Sequence, residues 1–232
     1  MSGFTFKQFK VEHDSCAMKV STDGILLGAW AYLKGANTLL DIGTGTGLLA
    51  LMCKQRQPAL SITAVEIDEA AYKQAQQNIA SWSWPNITVK HTTIQAFKQA
   101  APFDVVISHP PYFNRSLKGL SDARNTARHT DGLSFDELIH AYMRLSHEHS
   151  CFNVILPTTE AGLFIDLATQ SRLYLNAHCQ AKTTPSKAFS RSLMRFSLVN
   201  TLPELTSLCI KNDNNRYSDD YIALCKAFYL KM

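Results

Sequence analysis

The sequence predicts an α/β fold with a doubly wound, mostly parallel sheet, and three observations support this prediction. Short apolar segments of strand character alternate with segments of helical spacing. A glycine-rich stretch, DIGTGTG, follows the first of these strands and opens a helix. Two adjacent prolines end a later strand abruptly, because proline cannot donate to a ladder of hydrogen bonds. The pattern is typical of a Rossmann-like crevice at the carboxyl edge of a sheet.

Seven strands are predicted, with helices after the first, second, fourth and fifth. The first five strand segments are 38–42, 61–65, 86–90, 103–108 and 152–156. Helical spacing follows the glycine stretch and the second strand, and a capping box of Ser134 and Glu137 opens another helix that runs to about His147. The last two strands, at roughly 173–183 and 192–200, form an antiparallel pair joined by a basic loop.

Length and composition predict one globular domain over residues 1–232. Hydrophobic residues make up 46% and charged residues 18% of the chain, which excludes a disordered protein. The predicted parts are an N-terminal extension (1–35), a Rossmann-like core (36–200) and a C-terminal addition (201–232). The longest apolar run, from Ile25 to Leu33, is too short to span a bilayer, and the N-terminus has no signal core. We therefore expect a cytoplasmic protein with no membrane contact.

The cysteines and histidines do not have the spacing of a metal site. The six cysteines form no CxxC pair, so we expect reduced thiols. His147 and His149 point to different sides of a helix, and there is no HExxH motif. The sequence predicts no metal.

Positive charge is concentrated in two stretches although the net charge is only +4. The first stretch follows the proline pair, and the second runs from residue 182 to residue 195 and contains no acid. These cations are Arg115, Lys118, Arg124 and Arg128 in the first stretch, and Lys182, Lys187, Arg191 and Arg195 in the second. A solvated basic surface and a nucleic-acid contact both remain open on charge alone.

The glycine spacing favours one class of cofactor over another. Gly43, Gly45 and Gly47 form GxGxG, whereas the dinucleotide fingerprint requires its third glycine one place later, where Leu48 stands. An NAD-dependent dehydrogenase is therefore the weaker interpretation. S-adenosylmethionine fits better, since it brings an ammonium and a carboxylate instead of a pyrophosphate. Glu66, at the end of the second strand, is placed to accept hydrogen bonds from ribose hydroxyls.

The stretch His109-Pro110-Pro111-Tyr112 predicts a stiff loop at the carboxyl end of the fourth strand. An amine conjugated to a purine ring is a poor nucleophile because its lone pair is delocalised. Acceptors on a rigid loop can hold the amino hydrogens and aim the lone pair at a methyl donor. Tyr112 offers a face on which a flipped base can stack. We expect these four residues to be the catalytic ones.

The motifs resemble those of a known family. DIGTGTG, Glu66 and the proline loop are similar to the class I amino-methyltransferases that carry an (Asn/Asp/Ser)-Pro-Pro-(Tyr/Phe) signature. The segments FKQFKVEHDSCAMKVSTDGILLGAWA and YIALCKAFYLKM narrow the resemblance to the bacterial tRNA(Val) adenine N6-methyltransferases, which modify the adenine immediately 3′ of the anticodon. The similarity runs from about residue 4 to the last residue, and the end segments are much more specific than the glycine stretch.

The resemblance implies a tRNA partner, S-adenosylmethionine as cofactor and a set of site residues, in a chain expected to be a monomer. Residues 1–35 would cap cofactor and substrate, although Thr22 or Asp23 could instead only cap the helix that starts near Ile25. Where many such enzymes have an acid against the cofactor's adenine, this chain has Thr92 and Thr93. The implied cofactor contacts are Lys19, Thr22, Asp23, Asp41, Gly43, Thr44, Gly45, Gly47, Glu66, Thr92 and Thr93. The implied phosphate contacts are Arg115, Lys118, Arg124, Arg128, Lys182, Lys187 and Arg191.

His109 departs from the family pattern, which has Asn at this position. Imidazole is larger than an amide and accepts a hydrogen bond only when neutral. A slower or pH-sensitive enzyme, an inactive module that still binds S-adenosylmethionine or RNA, and a changed acceptor such as a protein glutamine amide all remain open. With a pKa near its ordinary value, His109 predicts a loss of activity below about pH 6.5.

Overall fold

The computed structural model describes residues 3–14, 19–111 and 133–232. The strands are β1 (Gly3–Thr5), β2 (Lys10–Glu12), β3 (Thr38–Ile42), β4 (Ser61–Glu66), β5 (Ile87–His91), β6 (Phe103–Ser108), β7 (Ser146–Pro157), β8 (Tyr174–Lys182), β9 (Arg191–Ser197) and β10 (Glu204–Cys209). The helices are α1 (Thr22–Trp30), α2 (Leu48–Arg56), α3 (Glu69–Ala80), α4 (Phe135–Leu145), α5 (Thr158–Gln170) and α6 (Asp219–Cys225).

An eight-stranded sheet forms the centre of the molecule, in the order β10-β8-β9-β7-β6-β3-β4-β5. The five strands from β7 to β5 are parallel, β9 is antiparallel to both β7 and β8, and β10 is parallel to β8. The chain winds outward from β3 in one direction and from β6 in the other. Their carboxyl ends therefore flank a topological switch point, where open α/β sheets bind ligands. The predicted fold class is confirmed, including the antiparallel pair.

Alternating side chains of the central strands supply two cores, one on each face of the sheet. Val105 and Ile107 of β6 join the core under α1 and α2, whereas Val106 joins the core under α4 and α5. This two-sided burial is why these strands are continuous apolar runs. Because helices pack on both faces of the sheet, the carboxyl end of each strand has a fixed position. The loops that follow these strand ends are positioned in turn.

Several elements differ from the prediction. Strand β7 begins at Ser146, six residues before the predicted start at Phe152, and α4 ends at Leu145 instead of about His147. The early part of β7 is polar and depends on distant partners: the Ser150 hydroxyl donates to the Phe103 carbonyl at 2.6 Å. Strand β10 was not predicted and lies at the edge of the sheet, with its first four residues exposed.

The N-terminal strand pair and the C-terminal segment pack against each other. Phe6 forms an isolated bridge with Tyr229, and the Lys7 amide donates to the Phe228 carbonyl at 2.7 Å. The aromatic ring of Phe4 also meets that of Tyr229 edge to face. The two segments that carry the most specific sequence resemblance therefore form one unit beside α1.

Helix α1 packs closely on α2, and Gly28 is the point of closest approach. A Cβ atom on Gly28 would lie 2.6 Å from the Met52 Sδ atom and 3.0 Å from the Met52 Cβ atom. We expect Gly28→Ala to lower the free energy of unfolding by about 1–3 kcal/mol, because the helices would have to separate. Denaturant unfolding followed by circular dichroism measures this.

Gly162→Ala is the matched control, since Gly162 is an exposed residue of α5 whose added Cβ would meet no atom within 4 Å. That change removes a residue of poor helix propensity and is expected to raise stability by up to about 1 kcal/mol. Equal unfolding midpoints for Gly28→Ala and the unaltered protein would contradict the close packing of α1 on α2.

Candidate active site

A cavity of about 660 Å³ opens at the switch point, where β3, β4 and β6 end. Its walls come from the loops after these strands, from the residues before α1 and from the start of α4. The predicted site residues that line it are Lys19, Gly43, Thr44, Gly45, Glu66, Thr92, Thr93, His109, Pro110 and Pro111. The carboxyl edge of the sheet thus brings the glycine stretch and the proline loop to one cavity.

The glycine stretch forms a cradle that only glycine accommodates without strain. Gly43 and Gly45 have φ values of +70° and +56°, in the left-handed region, and a Cβ on either would point into open space. The amides of Gly43 and Thr44 donate to the Val65 carbonyl, which fastens the loop to β4. A ligand can therefore approach the backbone of Gly43 and Gly45 closely.

Gly47 has a different position from the other two glycines. Its φ of +81° starts α2 as the N-cap residue, and an added Cβ would meet Ala75 and Ile79 of α3 at 3.4–3.6 Å. Gly47 does not line the cavity. The structure therefore gives Gly47 a role in helix packing, and its predicted contact with the cofactor stays a prediction.

Glu66 joins the loop after β3 to the loop after β4. One carboxylate oxygen accepts from the Gly45 amide at 2.8 Å, and the other accepts from the amides of Ile67 and Asp68 at 2.8 and 2.9 Å. A carboxylate has about four acceptor positions, so three amides do not exhaust it. Because Glu66 also lines the cavity, a hydroxyl donor of a ligand can use the remaining capacity.

Asp41 lies beneath the glycine stretch and not in the cavity wall. Its side chain is fully buried, and one oxygen accepts from the Thr44 hydroxyl at 2.6 Å. Burial raises the pKa of Asp41 to about 7; the Thr44 hydrogen bond lowers the pKa, the charge of Glu66 raises it and the Ala50 amide lowers it. The structure shows Asp41 supporting the loop from below, and its predicted contact with the cofactor stays a prediction.

The wall beyond Glu66 contains residues that sequence reasoning missed. Ile67 is 66% exposed although it is apolar, and it lines the cavity together with Asp68 and Gln95. Asp68 also caps α3, accepting from the Ala71 amide at 2.8 Å. For Ile67 and Asp68, the position directly after the strand-end acid Glu66 was the available signal. An exposed isoleucine in a cavity wall offers a flat apolar contact for a ring.

Thr92 and Thr93 lie at the end of β5, on the same side of the cavity. The Thr93 hydroxyl accepts from the Ala96 amide at 3.1 Å, and the Thr92 hydroxyl donates to the Thr93 carbonyl at 3.3 Å. Both residues line the cavity, so their hydroxyls lie where a ligand's polar edge could reach them.

The proline loop forms the opposite wall. Ser108 ends β6 and donates its hydroxyl to the Ile42 carbonyl at 2.9 Å, which holds the start of the loop against β3. Burial lowers the pKa of His109 below its ordinary value; Asp23 raises it and Arg191 lowers it further. The imidazole is thus neutral at physiological pH. The expected pKa near the ordinary value was wrong, because the ring is largely removed from water.

Thr22 and Asp23 lie beside the main cavity and not in it. Ser21 is the N-cap of α1, accepting from the Gly24 amide at 3.2 Å, so neither of these two residues is the cap. Both line a neighbouring cavity of about 270 Å³, where Asp23 forms an ion pair with Arg191 at 2.5 Å. Their predicted contact with the cofactor stays a prediction, and the geometry favours Ser21 as the residue facing the main cavity.

The predicted RNA contacts fall into two groups. Lys182 and Arg191 line the smaller cavity, and Lys187 lies on an exposed turn between β8 and β9. The remaining predicted residues lie outside the described residues: Tyr112, Arg115, Lys118, Arg124 and Arg128.

The described residues contain no group of three or more His, Cys, Asp or Glu side chains that could hold a metal ion. The same part of the chain contains no helix long and apolar enough to cross a membrane. Its five cysteines are free thiols: Cys53, Cys151, Cys179, Cys209 and Cys225.

The fold and the cavity define a class I methyltransferase architecture, and comparisons with known proteins agree. The family model described as "Methyltransferase small domain" matches residues 25–125. A solved structure described as a predicted O-methyltransferase from Agrobacterium tumefaciens superposes with a TM-score of 0.67 at 16% identity, covering 89% of this chain and 96% of its own. At that identity, the likeness concerns the fold alone.

Full-length relatives narrow the class to one family. A protein of Pseudoalteromonas translucida, named tRNA1(Val) (adenine(37)-N6)-methyltransferase, is 69% identical over the whole of both chains. A protein of the same name from Phocaeicola vulgatus is 45% identical over 99% of this chain and 98% of its own. The chain belongs to the tRNA1(Val) (adenine(37)-N6)-methyltransferase family, which confirms the resemblance found in the sequence.

The raised pKa of Asp41 predicts how the stability of the site depends on pH. Between the ordinary pKa of 3.8 and the folded-state value of about 7, the unfolded chain is ionised while the folded chain keeps its proton. The resulting destabilisation grows over this range and is constant above it. We expect Asp41→Asn to raise the free energy of unfolding above pH 7 by on the order of 2–4 kcal/mol, with no gain near pH 4.

Urea unfolding from pH 4 to pH 8 measures this effect. Asp104→Asn is the control, and we expect its effect on the free energy of unfolding to have the opposite sign. Burial raises the pKa of Asp104, but hydrogen bonds from Asn37, His147 and Thr38 bring it below its ordinary value, so removing this carboxylate costs stability at neutral pH. A gain for Asp41→Asn that does not vary with pH would contradict the raised pKa of Asp41.

Proposed function

We propose that this protein transfers a methyl group from S-adenosylmethionine to the N6 amine of adenine 37 in tRNA1(Val). The observation that carries the proposal is one cavity lined both by the Gly43–Gly45 cradle with Glu66 and by His109-Pro110-Pro111. The methyl donor and the target amine thereby have adjacent places at the switch point. We take the substrate from the names of the relatives that match this chain over almost its whole length.

The residues present fit S-adenosylmethionine. Open space above Gly43 and Gly45 admits a ligand against the backbone, the spare acceptor capacity of Glu66 suits ribose hydroxyls, and exposed Ile67 suits a ring face. When bound, this cofactor supplies an activated methyl group on a sulfonium. Thr92 and Thr93 remain our candidates for its adenine edge, and Lys19 for closing the cavity.

The chain's own contribution to the reaction is orientation of the amine. A neutral His109 accepts a hydrogen bond through one ring nitrogen, and the Pro110 carbonyl is a second acceptor. Two acceptors on adjacent residues hold both amino hydrogens, which favours a pyramidal nitrogen with its lone pair free. The proline ring and the Ser108 bond to Ile42 keep that geometry rigid. Tyr112 is retained as the proposed stacking face for the base.

RNA would reach the site along the cations described above. Lys182, Lys187 and Arg191 are our proposed phosphate contacts, together with the four predicted from the stretch after the proline loop: Arg115, Lys118, Arg124 and Arg128. An anticodon-loop adenine is already unpaired, so extruding it costs less than it would in a duplex.

We also propose that the chain acts as a single domain and as a monomer in the cytoplasm. The contact of Phe6 with Tyr229 ties both end segments to the core.

Methyl transfer from labelled S-adenosylmethionine to unmodified tRNA1(Val) tests the function, with nucleoside analysis of the product. We expect N6-methyladenosine at position 37, and none on a tRNA1(Val) with guanosine at that position. Cofactor binding without transfer by the unaltered protein, but transfer by His109→Asn, would indicate a lapsed enzyme. Labelling of protein instead of tRNA in a cell extract would favour a glutamine amide as acceptor.

The lowered pKa of His109 predicts where activity is lost in acid. The neutral imidazole accepts a hydrogen bond and the imidazolium does not, so methyl transfer should fall as His109 is protonated. Because burial lowers this pKa, the fall should lie below the ordinary value of 6.5 instead of at that value.

The measurement is the ratio of the methyl-transfer rates of the unaltered protein and His109→Asn between pH 5 and pH 8. Asp41 titrates in both proteins, so the ratio isolates His109. We expect a constant ratio down to about pH 6.5 and a decline below. A decline that begins above pH 6.5 would contradict the lowered pKa of His109.

A further inference from the structure

The smaller cavity, of about 270 Å³, lies directly beside the catalytic loop. The first turn of α1 separates the two cavities: Ser21 and Gly24 face the main one, while Thr22 and Asp23 face the smaller one. A Cβ on Gly24 would lie 3.9 Å from the His109 Nδ1 atom. The two cavities are therefore separated by the width of a single helical turn.

The charge of the smaller cavity is positive. Three cations line it, Lys182, Arg191 and Lys211, against the one carboxylate of Asp23, which pairs with Arg191. The Lys182 ammonium donates to the Pro185 carbonyl at 2.9 Å, and the Lys211 ammonium donates to the Asn215 amide oxygen at 2.8 Å. Both acceptors are neutral, and an ammonium has three donors. Among the described residues, no carboxylate pairs with either ammonium, so the lining of this small cavity has a net positive charge, which suits an anion.

Tyrosines form another wall of the same cavity. Tyr221 is buried, and its hydroxyl lies 2.9 Å from the Tyr229 hydroxyl, which holds both rings in place. Tyr217 is 38% exposed and packs on Tyr221 with ring centroids 5.0 Å apart. A partly exposed ring on a rigid aromatic support is a surface on which a base can stack.

We propose that the smaller cavity binds a nucleotide adjacent to the target adenine, with its phosphate between Lys182 and Lys211 and its base on Tyr217. This inference rests on the proposed function, and it adds Lys211 and Tyr217 to the predicted RNA contacts. The cavity is below the roughly 300–1,000 Å³ of sites that enclose drug-sized ligands, so it suits part of a strand better than a second cofactor. Since one phosphodiester joins neighbouring nucleotides, an adenine at His109 must place its neighbour close by.

The phosphate contact is tested by measuring the Kd for unmodified tRNA1(Val) at several salt concentrations. The variant is Lys182→Gln with Lys211→Gln. We expect a Kd at least about tenfold higher, as for the loss of a charged hydrogen bond. The slope of log affinity against log salt should shrink by about 0.7 for each phosphate that the variant no longer neutralises. The Kd for S-adenosylmethionine should not change.

Lys34→Gln is the matched control, because Lys34 is exposed before β3, at the amino edge of the sheet. It should leave both the tRNA affinity and the salt slope unchanged. A Kd and a slope for the double variant equal to those of this control would overturn the proposal.

The base contact is tested by a double-mutant cycle, in which one change is made in the protein and the other in the RNA. The probes are anticodon stem-loops with an abasic residue immediately before or immediately after the target adenine, and the variants are Tyr217→Ala and Tyr217→Phe. Stacking predicts about a fivefold or larger loss of affinity for Tyr217→Ala, a similar loss for one abasic probe, and no further loss when the two are combined. Tyr217→Phe should bind as the unaltered protein does. If the loss of affinity caused by Tyr217→Ala multiplies with the loss caused by the abasic residue for both probes, stacking on Tyr217 is excluded.

These binding readouts are independent of the methyl-transfer assay. If the unaltered protein methylates adenine 37 and the variants of the smaller cavity bind tRNA normally, the proposed function stands and the subsite is refuted. The predicted binding losses without any methyl transfer would support the subsite and refute the proposed function. Thermal unfolding of each variant shows whether a loss reflects misfolding: a loss of affinity that tracks a lowered midpoint counts against the subsite.

Discussion

The site depends on one carboxylate that ties two strand ends together. Glu66 accepts from the amide of Gly45 on one loop and from the amides of Ile67 and Asp68 on the next. The two loops are therefore fixed relative to each other before any ligand arrives. A cavity with preformed walls loses little conformational freedom when a ligand binds, which is the condition for high affinity from few contacts.

The proline loop is similarly rigid, although it begins with His109 where the family pattern has Asn. An imidazole in place of an amide carries the risk of protonation, and burial counters that risk by disfavouring the charged ring. Asp23 alone would favour the imidazolium, but Arg191 offsets its charge. The pair thus shields His109 electrostatically and forms the boundary between the two cavities. The departure at His109 is consistent with its surroundings.

Local sequence signals predicted the sheet and most of the main cavity, and they failed where structure depends on distant partners. The apolar run at Val105–Ile107 identified its strand because both of its faces are buried. Strand β10 offered no such signal, since its exposed side chains gain order only from pairing with β8. The polar start of β7 likewise depends on Phe103 and Asp104. The smaller cavity could not have been predicted, because its walls come from three separate parts of the chain.

The packing of the two end segments has a consequence for how the protein is made. The Lys7 ammonium donates to the Lys226 carbonyl 219 positions later, and Phe6 is buried partly by Tyr229. During synthesis, β1 and β2 emerge before the C-terminal segment and find these partners only after that segment has left the ribosome. Contacts of such long sequence separation slow folding. The apolar side chains of Phe4 and Phe6 therefore remain without their C-terminal partner Tyr229 through most of translation.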